Sequence, residues 1–115
     1  YSSAASDVYK RQVELYGSAE DAVNGVDLVV TDVWSSMGQT NKDTDKADLF
    51  QPYQVNEQLL ELSDKEAIFM HCLPAHRGEE ISAGLLDHKK SVVWQEAGNR
   101  LHTQKALLEF LLKPA

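Results

Sequence analysis

The sequence has little of several features that mark particular classes of protein. It contains one cysteine, so no disulfide can form within the chain. No apolar run approaches the roughly 18 residues that a membrane-spanning helix needs, and no segment has the flanks of a signal peptide. These absences predict a cytoplasmic protein without a membrane partner.

Positive charge is also scarce. The chain has 11 Lys and Arg against 18 Asp and Glu, which gives a formal net charge of -7 at pH 7. Proteins that bind a nucleic-acid backbone need a basic face, so we predict no nucleic-acid partner. The glycine-rich patterns GxGxxG and GxxxxGK[ST] are absent, which argues against a nucleotide cradle of either kind.

The remaining composition is that of a small globular domain. The chain has 115 residues, of which 43% are hydrophobic and 25% charged, so it can bury a core and disorder is not indicated. Apolar runs of strand length alternate with helical patterns, which predicts an α/β fold with a doubly wound, mainly parallel sheet, as a partial Rossmann-like domain. The predicted strands are 13–15, 26–31, 67–70 and 91–94, and the predicted helices are 18–24, 56–62, 81–86 and 97–112.

Residues able to carry chemistry follow three of the predicted strands. Asp32 follows the first, His71-Cys72-Leu73-Pro74 ends the second, and the third leads towards Arg100. Ligands bind outside the carboxyl ends of parallel strands, so these residues are predicted to share one rim of the sheet. Each of these residues also has an interpretation without a role in chemistry. Asp32 is then a turn residue, His71 a hydrogen-bonded core histidine, Cys72 a small buried apolar residue and Arg100 a solvated side chain.

Two other chemistries receive weaker support from the residue pattern. His71, Cys72 and His76 are at most a weak candidate for a zinc site, because such a site needs several ligands at suitable spacing. A cysteine protease using Cys72 and His102 is conceivable, although their order matches no known pairing.

Four segments together resemble the ornithine carbamoyltransferases. They are DVWSSMG at 32–38, FQPYQVN at 50–56, HCLP at 71–74 and NRLHTQKALL at 99–108, in the family's order and similar spacing. The resemblance runs from about residue 13 to 112. HCLP with SMG is specific, since the related aspartate carbamoyltransferases have proline at the cysteine position and lack the SMG loop.

The resemblance implies an ornithine site. Asp32 resembles the carboxylate that receives the α-amino group of ornithine, and Ser36 and Met37 resemble the loop that closes over the amino acid. Cys72 resembles the family's active-site cysteine, near the δ-amino group that attacks the carbamoyl carbon. That amine is protonated at neutral pH, so a neighbouring thiolate or carboxylate would assist its deprotonation.

The resemblance also implies a carbamoyl phosphate site. Cys72 and Leu73 resemble the backbone that meets the carbamoyl group, with His71 and Pro74 as supporting residues and a cis bond expected between Leu73 and Pro74. Arg100 resembles the residue that contacts carbamoyl phosphate. A guanidinium near a helix start suits a phosphate, because the helix N-terminus is also positive.

The family resemblance further implies a partner domain and an assembly. The chain looks like part of a cytoplasmic, bacterial-type enzyme that carbamoylates L-ornithine to L-citrulline, works as a homotrimer, and needs no metal or organic cofactor. Residues 13–115 resemble a portion of its C-terminal, ornithine-binding domain, whereas residues 1–12 do not resemble the family and are interpreted as a remnant foreign to it. Because the N-terminal domain holds most carbamoyl phosphate contacts, the fragment alone is predicted to be inactive.

Several features depart from the family or leave rival functions open. Gly98 stands where the family usually has Glu, and the loop 39–48 follows no family pattern. One rival is a carbamoyltransferase that uses another amine, which the SMG loop disfavours. The other is a module that binds a small anion or an amino acid, or serves assembly, and catalyses nothing.

Overall fold

The computed structural model describes residues 13–34 and 48–113, and these form helices around a short parallel sheet. Two 3-10 helices, Gln51–Tyr53 and Leu85–Asp87, lie in the connections, and residues 48–50 are also helical. None of the described helices is long and apolar enough to cross a membrane. The main elements in chain order are α1 (Ala19–Val23), β1 (Leu28–Thr31), α2 (Glu57–Glu61), β2 (Ile68–His71) and α3 (Val93–Leu112).

The sheet brings two strand ends to one edge. β1 and β2 pair in parallel, from Leu28 opposite Ile68 to Thr31 opposite His71. Because the strands are parallel and in register, the residues that follow them leave the sheet side by side. The predicted α/β fold with a parallel sheet is therefore confirmed.

Polar side chains cap the N-termini of α1 and α2. The Ser18 hydroxyl accepts a hydrogen bond from the backbone N–H of Asp21 at 3.1 Å, and the Asn56 side chain accepts one from Leu59 at 2.8 Å. Gly25 has φ +71° just after α1, a conformation that favours glycine. These caps fix the entry into β1 and the packing of α2.

Two predicted strands are wrong. Residues 13–15 form no strand within the described chain, and Leu15 is 95% exposed. At 91–94 only Ser91 pairs, as an isolated parallel bridge to Phe69, and α3 begins at Val93 instead of Ala97. A short apolar run has the same sequence pattern whether it forms a strand or the buried first turn of a helix. Here it forms the first turn of α3, in which Val93 is fully buried.

The segment 81–86 also differs from prediction. Ile81 is fully buried and bridges Val55 and Arg77, so the predicted helix is reduced to the 3-10 turn Leu85–Asp87. Leu62, at the end of α2, is 44% exposed. The core uses Leu59 and Leu60 of that helix instead.

A buried lysine fastens the chain that precedes α3 to the end of α2. The Lys90 ammonium donates to the backbone carbonyls of Leu60 (3.0 Å) and Asp64 (2.9 Å) and to the Ser63 hydroxyl (3.1 Å). Next to it, the Phe69 N–H donates to the Lys90 carbonyl at 2.8 Å. These bonds hold the start of α3 beside β2, where the candidate site forms.

Candidate active site

Asp32 and Cys72, which are predicted to share one rim of the sheet, are in contact. The Cys72 thiol donates a hydrogen bond to Asp32 Oδ1 at 3.2 Å across the strand ends. Both residues are exposed, so a ligand can reach them. The contact follows from the register, since Thr31 and His71 are paired and each is followed by one of these residues.

The shared hydrogen bond opposes ionisation of the thiol. The backbone N–H of Val33, at 2.7 Å from Oδ1, and then the Cys72 thiol lower the pKa of Asp32. The same bond to Asp32 raises the pKa of Cys72, with burial and the negative charge of Asp32 adding to it. At neutral pH the pair is therefore a carboxylate beside a protonated thiol, an arrangement that attracts an ammonium group.

Alkylation of the single cysteine tests this arrangement. We expect the rate of Cys72 modification by iodoacetamide to rise with pH through an inflection above the ordinary thiol pKa of about 8.5. In Asp32→Asn the negative charge is removed, so the inflection should move down and the rate at neutral pH should increase several-fold, since each pKa unit is about tenfold in thiolate. Asp27→Asn, which changes an exposed carboxylate at the other end of β1, is the control. Identical inflections in wild type and Asp32→Asn would contradict the assignment.

His71 is a buried side chain that holds the backbone after Cys72. Its Nδ1 accepts from the N–H of Leu73 at 2.9 Å, so Nε2 carries the proton and donates to Glu80 Oε1 at 3.0 Å. Leu73 has φ +51°, and the Leu73–Pro74 peptide bond is cis, as the family resemblance implies. The carboxylate thus fixes the imidazole tautomer that orients Leu73.

Arg100 lines an open cleft of about 580 Å³ together with Cys72 and His71. The cleft lies between the end of β2 and the first turns of α3, and Glu96 accepts from the His71 backbone N–H at 3.1 Å. Its lining from α3 recurs every three or four residues, which places these side chains on one helical face. The lining residues are Met70, His71, Cys72, Glu96, Ala97, Asn99, Arg100, Thr103 and Gln104.

The other predicted site residues are not all brought together. Ser36 and Met37 lie outside the described residues. His102, the protease candidate, does not line the cleft, and the Cys72 thiol bonds to Asp32 instead. His71, Cys72 and His76 form no metal-ligand group among residues 13–34 and 48–113.

Sequence reasoning missed Glu80, and it missed Thr103 and Gln104 as part of the cleft. Glu80 lies between the predicted strand 67–70 and the predicted helix 81–86, and it is fully buried against His71. The available signal was the buried histidine itself, because a buried imidazole N–H needs an acceptor. For Thr103 and Gln104, the signal was their helical spacing from Arg100.

Comparisons with known proteins identify the family to which this chain is similar. The family model described as aspartate/ornithine carbamoyltransferase, Asp/Orn binding domain, matches residues 2–111, so it includes most of the segment 1–12, and the division of the chain at residue 12 stays a prediction. An ornithine carbamoyltransferase of Acinetobacter baylyi is 62% identical over 100 residues, covering 87% of this chain and 33% of that protein. The chain thus spans about a third of the length of such relatives.

Solved structures give the same match in three dimensions. The ornithine transcarbamoylase of Giardia lamblia superposes with a TM-score of 0.82 at 32% identity, covering 98% of this chain and 36% of that one. The ornithine carbamoyltransferase of Burkholderia thailandensis gives 0.74 at 46% identity, covering 87% and 30%. The fold of the described residues is therefore that of part of these enzymes.

Proposed function

We infer the function of this chain from its family: it belongs to the aspartate/ornithine carbamoyltransferases, by their Asp/Orn binding domain. We propose that it is the amino-acid-binding part of a longer enzyme that transfers a carbamoyl group from carbamoyl phosphate to the δ-amine of L-ornithine. The observation that carries this proposal is the contact between Asp32 and Cys72 beside the cleft that holds Arg100.

The charges at the rim match those of the two substrates. Ornithine presents ammonium groups, and Asp32 is an exposed carboxylate whose pKa is lowered by the Val33 N–H. Asp32 would receive the α-amino group, with Cys72 beside the δ-amine and Ser36 and Met37 closing over the amino acid. Carbamoyl phosphate presents an anion, for which Arg100 offers a guanidinium. Because α3 begins at Val93, Arg100 is its eighth residue, and the guanidinium acts without the help of the helix N-terminus that the sequence predicts.

The chemical step needs an unprotonated amine and an oriented carbamoyl group. The δ-nitrogen attacks the carbamoyl carbon, and the bond from that carbon to the phosphate oxygen breaks. Phosphate leaves with the electron pair and takes up the proton that the amine loses. The backbone N–H of Leu73 donates to the His71 imidazole, which holds Leu73 in place. The backbone of Leu73 would then orient the carbamoyl group. Pro74, on the other side of the cis bond, supports that backbone.

The chain covers about a third of its relatives, so the remainder of the enzyme is its first proposed partner. The outer part of α3 exposes a set of large apolar side chains that a partner would cover. We propose that the N-terminal domain of the same enzyme contributes to that cover and supplies most contacts to carbamoyl phosphate, in a cytoplasmic homotrimer. The exposed residues are Leu101, Leu107, Leu108, Phe110, Leu111 and Leu112.

A chimeric enzyme tests the proposed function. The matched 100 residues of the Acinetobacter baylyi relative would be replaced by the corresponding residues of this chain. We expect the chimera to form citrulline from ornithine and carbamoyl phosphate, and the chain alone to form none. Cys72→Ala in the chimera should lower kcat by about 100-fold, the lower end of the roughly 10²- to 10⁴-fold effects seen when a group acting on the reacting atoms is removed.

Two controls make the result decisive. The relative's own enzyme, assayed in parallel, gives the reference rate, and N-acetylornithine and putrescine test the rival amines. Saturating ornithine and carbamoyl phosphate should protect Cys72 from alkylation in the chimera. A folded chimera that binds neither substrate would contradict the enzyme assignment and favour the non-catalytic module.

A further inference from the structure

A second group of ligand atoms lies in the loop that follows β2, separate from Asp32 and Cys72. His76, Glu79 and Glu80 each offer one ligand atom, and the three atoms lie within 4.8 Å of one another. His76 Nδ1 is 3.6 Å from Glu79 Oε2 and 3.8 Å from Glu80 Oε2. Ligands of one tetrahedral ion with bonds of about 2.1 Å stand roughly 3.4 Å apart, so small side-chain adjustments would bring these three onto one ion.

One carboxylate oxygen of Glu80 is buried and lacks a partner in the part of the chain that the structure describes, which indicates a site for a cation. Glu80 is fully buried, and its Oε1 already accepts from His71 Nε2 at 3.0 Å and from the His76 N–H at 2.6 Å. Its other oxygen, Oε2, is also buried and has no hydrogen-bond partner among the described residues. Buried carboxylate oxygens are normally paired or coordinate a metal, and His76 Nδ1 at 3.8 Å is too distant for a hydrogen bond.

The two other ligands can reach an ion without disturbing the core. The side chains of His76 and Glu79 are about half exposed, so solvent and a cation have access from their side. Glu80, by contrast, is held in place by its two bonds through Oε1. The group therefore combines one preset ligand with two adjustable ones.

We propose that His76 Nδ1, Glu79 Oε2 and Glu80 Oε2 bind a divalent transition-metal ion, with Zn²⁺ the best fit. One imidazole and two carboxylates suit Zn²⁺, and among abundant divalent metals such a donor set binds Zn²⁺ more tightly than Mn²⁺ or Fe²⁺. Water would complete the coordination on the exposed side. The site is separate from carbamoyl transfer, for which the family resemblance implies no metal, and it ties the loop to β2 through Glu80 and His71.

Calorimetric titration of the 115-residue chain with Zn²⁺ tests the proposal. We expect saturable binding of one ion at this site, and at least about 100-fold weaker binding in His76→Gln and in Glu79→Gln, because loss even of an outer-shell partner changes metal affinity by about 10- to 100-fold. Both residues are exposed, so the variants should fold, which circular dichroism checks. His102→Gln and Glu66→Gln, which change exposed residues of the same types elsewhere, should bind as wild type does.

Co²⁺ distinguishes this site from binding at the cysteine. With nitrogen and oxygen ligands alone, the Co²⁺ complex should lack the sulfur-to-metal charge-transfer band that Cys72 coordination would produce. The proposal is overturned by absence of saturable binding, by unchanged affinity in either His76→Gln or Glu79→Gln, or by that charge-transfer band.

Discussion

Asp32→Ala, made in the chimeric enzyme, is expected to raise the KM for ornithine by about 10- to 100-fold while leaving the KM for carbamoyl phosphate nearly unchanged. A hydrogen bond between charged groups contributes roughly 1.5–3 kcal/mol, and each 1.4 kcal/mol is about tenfold in affinity. Asp32 is the exposed carboxylate at the end of β1, and its lowered pKa keeps it ionised at neutral pH. Its loss removes the proposed partner of the α-ammonium group and nothing proposed to contact the phosphate.

Asp32→Ala also removes the hydrogen-bond acceptor of the Cys72 thiol. This change in Cys72 must be distinguished from the change in ornithine binding. Without Asp32 the pKa of Cys72 should fall, because the hydrogen bond and the negative charge that raise it are gone. Asp32→Asn keeps the shape and a hydrogen-bonding oxygen but not the charge, so it should weaken ornithine nearly as much as Asp32→Ala does. Asp27→Ala, at an exposed carboxylate before β1, should leave both KM values as they are. Equal increases in both KM values for Asp32→Ala would contradict the proposed ornithine role.

The parts of this site that the sequence predicts are those set by strand ends and by local caps. Asp32 and Cys72 each come directly after an apolar strand, and the parallel pairing of the two strands brings them together at 3.2 Å. The N-caps Ser18 and Asn56 act within three residues along the chain, so their pattern survives whatever the tertiary context is. Strand ends and N-caps depend on residues that are close together in the sequence, so they can be predicted without knowledge of the tertiary fold.

The parts that sequence reasoning missed depend on contacts between distant segments. Glu80 is polar and sits among loop residues, and only packing against His71 makes it a buried acceptor. The run from Ser91 to Trp94 is apolar enough for a strand. In the structure only Ser91 pairs, through one bridge to Phe69, and Val93 is buried in the first turn of α3. Periodicity over four residues does not separate these outcomes. The position of Arg100 near Cys72 is nevertheless retained, since either structure delivers it to the same edge.

The largest expected effect on stability is that of Phe69→Ala. Phe69 is fully buried in β2, opposite Val29 of β1. Its backbone bonds twice to the segment that leads into α3: its N–H donates to the Lys90 carbonyl at 2.8 Å, and its carbonyl accepts from the Val92 N–H at 3.0 Å. Removing a buried phenyl ring costs about 3–5 kcal/mol, from lost transfer free energy and from the cavity that remains. A single domain has only about 5–15 kcal/mol in total, so most of the stability would be lost.

Urea unfolding of the 115-residue chain measures this effect, with Phe110→Ala as the matched control. Phe110 undergoes the same chemical change on α3, but it is 78% exposed, so the free energy of unfolding should change by less than about 0.5 kcal/mol. In the chimera, Phe110→Ala also tests whether a partner domain covers Phe110. If it does, the substitution should lower the free energy of unfolding of the chimera. If Phe69→Ala cost no more than Phe110→Ala in the chain alone, the sheet between β1 and the start of α3 would not be the packed centre that positions Cys72.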